Sequence, residues 1–135
     1  MIPNVKSANA QFTIAVRPTR TYRLDLDHNR IRGFTDGLEA MEQAIYKILN
    51  TQRYEYLIYS WNYGNELYKT LGQNIPYVYD DIQRLITEAL MQDDRILSID
   101  AFSFTHIKRG MVQVRCNVHT KFGDVAVLEE VRIGV

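Results

Sequence analysis

At 135 residues, with 46% hydrophobic and 24% charged side chains, the chain is long enough to bury the core of one globular domain. Sixteen basic residues balance sixteen acidic ones, which argues against a protein that grips nucleic acid mainly through a phosphate-binding field. No apolar run reaches membrane-spanning length, MIPNVKSANA lacks the apolar stretch of a signal peptide, and the single cysteine, Cys116, points to a reducing compartment without an internal disulfide.

The predicted elements run β–α–β, with residues 1–20 expected as an N-terminal arm or strand. In QFTIAV, Phe12, Ile14 and Val16 alternate with polar or small residues, the period of a half-buried strand. Tyr22, Leu24 and Leu26 alternate in the same way, and His28-Asn29 marks a turn back toward Ile31. Asp36 and Glu39 fit a capping pair at the start of a helix whose apolar face is Leu38, Met41, Ile45, Ile48 and Leu49. Residues 54–72 then read as an aromatic strand followed by a short helix, with Gly64 as punctuation and Gly72 as the stop. Pro76 suits the first turn of a second long helix, its buried stripe being Val78, Ile82, Leu85, Ile86, Ala89 and Leu90. Three strand candidates follow. Leu97 and Ile99 are out of phase with Phe102 and Phe104, which places a bulge near Asp100. Val112, Val114, Cys116 and Val118 alternate after the Arg109-Gly110 turn, as do Val125, Val127, Val131 and Ile133 after Gly123-Asp124. The expected fold is a single α+β domain, a small antiparallel sheet with two main helices packed on one face.

The chemistry-bearing candidates are few. Asp93 and Asp94 invite a glycosidase reading, but helical neighbours point about 100° apart, and that reaction needs two carboxyls facing across a bond at roughly 5–10 Å. Glu88 and Glu129 are the other acids that could supply a partner. The competing reading is a clasp, in which the Arg95 guanidinium binds an acid and the carbonyls of the helix end. His28, His106 and His119 show no zinc-like spacing, Cys116 falls in phase with core valines, and no Gly-rich phosphate loop exists. No cofactor and no metal is expected. Tyr54, Tyr56, Tyr59, Trp61, Tyr63 and Tyr68 crowd into fifteen positions, as core filling or as interface anchors. The last strand, Val125 through Ile133, is interrupted by Glu129 and guarded only by Glu129, Glu130 and Arg132, so it reads as an edge open to β-augmentation.

The run TDGLEAMEQAIYKILNTQRYEYLIYSWNYGNELYKTLG resembles the prophage tail proteins of the PBSX XkdS type, relatives of the baseplate wedge proteins of contractile-tailed phages that long carried a lysozyme-like label. The likeness covers residues 22 to 133, and its most specific part is the helix, Thr51-Gln52-Arg53, the aromatic stretch and LYKTLG. The wider family carries Glu-Pro-Arg between its long helix and final sheet, and here Asp93-Asp94-Arg95 holds that place, with Asp94 where the proline would be. The resemblance implies a non-enzymatic assembly protein, made in the bacterial cytoplasm and placed in the tail baseplate beside the tube. It implies that the helical side binds larger wedge proteins, with Asp93, Asp94, Arg95, Arg53, Tyr59, Trp61 and Tyr63 as partner-binding residues. A terminal strand, Val125, Val127, Glu129, Val131 and Ile133, would pair with the first sheath subunits. Nucleic acid and membrane are not expected partners. The alternatives are a peptidoglycan-cleaving enzyme of the lysozyme type and a regulator that binds one partner through its tyrosines.

Overall fold

The computed structural model describes residues 18–134. The strand expected at Phe12, Ile14 and Val16 lies outside them. Strands β1 (Thr21–Asp25) and β2 (Arg30–Thr35) form an antiparallel hairpin, and Asn29 adopts the left-handed φ of 50° that closes its turn. Helix α1 (Gly37–Leu49) follows, then a long irregular segment, a 3-10 turn (Leu67–Thr70), and helix α2 (Ile75–Met91). The chain ends in a meander of β3 (Ile96–Lys108), β4 (Met111–Thr120) and β5 (Gly123–Arg132), in the order β3-β4-β5.

Periodicity explains why these segments meet. Met41, Ile45, Ile48 and Leu49 share one face of α1, and all six residues of the expected α2 stripe, Val78 to Leu90, are buried. They form one apolar cluster with Val112, Val114, Cys116 and Val118 of β4 and Val125 and Val131 of β5. Each such aliphatic side chain contributes about 1.5–3 kcal/mol on full burial. Leu38, expected on the same face, stays partly exposed, with its methyls near Gly123.

Several expectations are corrected. The described residues form two antiparallel sheets, because among them the β1–β2 hairpin pairs only with itself. Residues 54–63 form turns, not an aromatic strand: Tyr54 has φ of 69°, Gly64 has φ of 96°, and the bridge at the base of the segment, Gln52 to Asn65, lies outside it. Asp36 does cap α1, but its carboxylate takes Gly37 N–H and the Thr19 hydroxyl, while Glu39 turns to Arg23 at 3.3 Å. The bulge near Asp100 is present, as a register shift between Asp100 and Ser103 with Ala101 at φ of 55°. A second shift at Leu97 sends that side chain outward and leaves Ile96 and Ile99 facing the core.

Candidate partner-binding site

Helix α2 ends at Met91 with Gln92 as its C-cap, and the chain turns through Asp93, Asp94 and Arg95 into β3. Asp93 builds this corner. Its Oδ1 accepts the backbone N–H of Arg95 at 3.0 Å, a side-chain-closed turn, and also takes Arg95 Nε at 2.9 Å. Arg95 Nη2 donates to the second carboxylate oxygen at 2.6 Å, which completes a bidentate pair. The two side chains are only 8% and 13% exposed, and the Asp93 carboxylate beside it holds the Arg95 guanidinium above its ordinary pKa. Because a carboxylate closes the turn, no proline is needed at Asp94, which is exposed. The corner is tied to the sheet where Lys121 N–H donates to the Arg95 carbonyl at 3.0 Å.

Beside the corner opens a cleft of about 400 Å³. Its walls are residues 18–21, the face of α1 carrying Ala40, Ala44 and Lys47, and the 60–64 turn. Tyr63 lines it, half-buried and stacked on Tyr59 with ring centroids 4.5 Å apart. Burial first, then the neighbouring Tyr59 and Asp93, pushes the Tyr63 phenol above its ordinary pKa. Among the described residues Asp93 is the one acid lining the cleft, and it is paired with Arg95, so the second carboxyl facing it across a bond that glycoside hydrolysis needs is not among them.

Arg53 sits behind the aromatic segment, 6% exposed, donating to Glu88 at 3.0 Å and to the Asn62 carbonyl at 3.3 Å. Its charged end faces inward. Asn65 locks the base of the same segment, its Nδ2 donating to the carbonyls of Ile48, Leu49 and Thr51. On this base Leu57, Ile58 and Trp61 stand out into solvent. The structure therefore brings Asp93, Arg95 and Tyr63 together at the cleft, with Tyr59 stacked behind Tyr63, Trp61 exposed beyond the lining, and Arg53 as an internal brace.

The β5 candidates are elsewhere. Val125, Val131 and Ile133 are buried and Val127 packs on the core. Glu129 lies on the same inward face, where burial, then Glu130, pushes its carboxyl above the usual range. One arrangement was not foreseen in the sequence. His119 on β4 lies between Asp124 on β5, 2.7 Å from Nδ1, and Asp100 on β3, 2.8 Å from Nε2. Spacing alone hides it, because the three residues meet only once the register is known. Cys116 is buried, which pushes its thiol to about 11 and leaves it unreactive.

Compared with known protein families, residues 18–123 match the model of the contractile injection system sheath initiators. The chain belongs to that family. Among curated proteins, the chain is 42% identical over 91 residues to the phage-like element PBSX protein XkdS of Bacillus subtilis (strain 168). The match takes in 64% of each chain, so this chain spans less than two thirds of the length of the relative it matches. The family is a structural one, and the resemblance read from the sequence is confirmed at that level.

Proposed function

We propose that the protein starts the sheath of a contractile tail, held in the baseplate by its Asp93–Arg95 corner and tyrosine-lined cleft while β5 offers its free edge to the first sheath subunit. Family membership supports the sheath-initiating part. The position and regularity of β5 carry the strand assignment. It ends the sheet, and its register with β4 runs unbroken from Gly123 to Arg132. Among the described residues, no backbone hydrogen bond joins residues 124–132 to any segment but β4, whereas Gly72 N–H anchors the Ile133 carbonyl just beyond. The other edge, β3, is broken by three register shifts, a poor template for a regular partner. Each added backbone hydrogen bond is worth about 0.5–1.5 kcal/mol net, so a row of them fixes a register. Arg53, on this reading, serves partners indirectly by bracing the turn that presents Tyr59, Trp61 and Tyr63. The larger wedge proteins and the tail tube are the expected neighbours, and the virion baseplate the expected location.

Proline scanning tests the edge. Successive strand residues aim their N–H groups at opposite neighbours, so of Val127→Pro and Leu128→Pro one removes a bond to β4 and the other only an N–H at the open edge. The second should keep a near-native Tm and yield baseplates and tubes without sheath. Normally sheathed tails from that variant would overturn the assignment of β5.

A further inference from the structure

The helices cover the inward face of β5 unevenly. Val125 and Val131 are 5% and 4% exposed, and Ile133 just beyond is buried, whereas Val127 and Glu129 between them are only half-buried. The thinly covered stretch belongs to the strand that ends the sheet. Glu129 also interrupts an apolar row. Val114 stands opposite it on β4, and Phe104 stands opposite Val114 on β3, both against the core. No ion pair among the described residues reaches the Glu129 carboxylate. Arg132, the one cation on β5, lies on the other face and donates to the Gly134 carbonyl at 3.3 Å. Lys69, on the adjoining 3-10 turn, is held by Glu66 at 3.1 Å. An inward charge on an edge strand bars indiscriminate pairing, because a strand added there buries the charge without compensation. A strand that brings its own cation escapes that bar.

We infer that Glu129 selects the strand that pairs with β5, and that this strand carries a lysine or arginine opposite Glu129 with apolar side chains opposite Val127 and Val131. This rests on the reading of β5 as the edge offered to sheath protein, and it names what that edge recognises. Side chains of an added strand alternate between faces, so only every second one meets the core side. Directly opposed residues stand about 4.5–5.5 Å apart at Cβ, within reach for a basic side chain to neutralise the carboxylate. A one-residue slip turns the partner's cation to the solvent face, and a two-residue slip sets an apolar side chain against Glu129. One charge thus discriminates between registers whose backbone hydrogen bonds are alike.

Three nonapeptides test the chemistry on the full chain. Each reads Val-Thr-Val-Thr-X-Thr-Val-Thr-Val, the same in either direction, with lysine, leucine or glutamate at the centre. The lysine peptide should move the amides of Val127 to Val131 in NMR spectra and bind about threefold to fivefold more tightly than the leucine peptide, with the glutamate peptide weakest. In Glu129→Leu the leucine peptide should bind more tightly than the lysine one. Equal binding of the lysine and leucine peptides to the wild-type chain, shifts at β3 with β5 unmoved, or no binding would overturn the inference. In tails, Glu129→Leu should keep a Tm at or above wild type yet leave most tubes unsheathed, whereas Glu130→Gln on the outer face should sheath normally. Normal sheaths on Glu129→Leu tails would mean that the carboxylate only guards the edge, which removes the basic partner residue and leaves the role of β5 standing. Normal sheaths from the edge-facing proline variant would remove that role itself.

Discussion

Asp93 and Asp94 are adjacent acids with opposite circumstances. Asp93 is buried and doubly bonded to Arg95, whereas Asp94 faces solvent. Removing one partner of a buried pair costs about 3 kcal/mol or more, while an exposed substitution usually stays within about 0.5 kcal/mol. Asp93→Asn should therefore lower the unfolding free energy by about 3 kcal/mol in a denaturant titration, and Asp94→Asn should leave it near the wild-type value. Equal effects would mean the corner is not built as described. His119 supplies a pH signature. Asp124 first, then Asp100, raises its pKa above the ordinary 6.5. A raised folded-state value means the protonated clamp stabilises fully below about pH 6.5 and is lost as pH climbs through the higher folded value. The Tm gap between wild type and His119→Gln should be wide at pH 6 and close by pH 8.5. A gap that does not change with pH would show that the imidazole's charge plays no part.

At the scale of elements, legibility followed periodicity. The α2 stripe from Val78 to Leu90 and the alternation of Val112 to Val118 were readable because one repeated spacing fixed each buried face. Residues 54–63 were misread because tyrosine and tryptophan favour strands, but a strand needs a neighbour, and here turns and ring stacking replace one. The one readable sign was Gly64. At φ of 96° it passes so close to the backbone that an added Cβ would lie 2.7 Å from the Thr51 carbonyl and 3.0 Å from Arg53 N. Gly64→Ala should cost about 1–3 kcal/mol and loosen the aromatic segment, seen as faster proteolysis near Tyr56. A stable, protease-resistant variant would contradict the tight approach. The cleft was invisible for another reason: its walls come from four separated segments, and of its lining only Asp93, Arg95 and Tyr63 were candidate site residues in the sequence.

For the whole molecule, formal neutrality conceals a separation of charge. Residues 1–35 carry six basic and two acidic side chains, and residues 36–135 carry ten and fourteen. The basic end includes Arg20 at the cleft, and the acidic end includes Asp124, Glu129 and Glu130 on β5. The fold class and the edge character of the last strand were legible from alternation and from how few charges guard it. Which edge is regular enough to template a partner was not, because the three shifts in β3 depend on pairing that no single strand reveals.

The central claim is that β5 lends its open edge to the sheath. Hydrogen–deuterium exchange on baseplates containing this chain, before and after sheath protein is added, measures it most directly. The edge-facing amides within Gly123–Arg132 should exchange quickly at first and become protected when sheath binds. Protection that arises at β3 or in the aromatic segment, with β5 unchanged, would contradict the account.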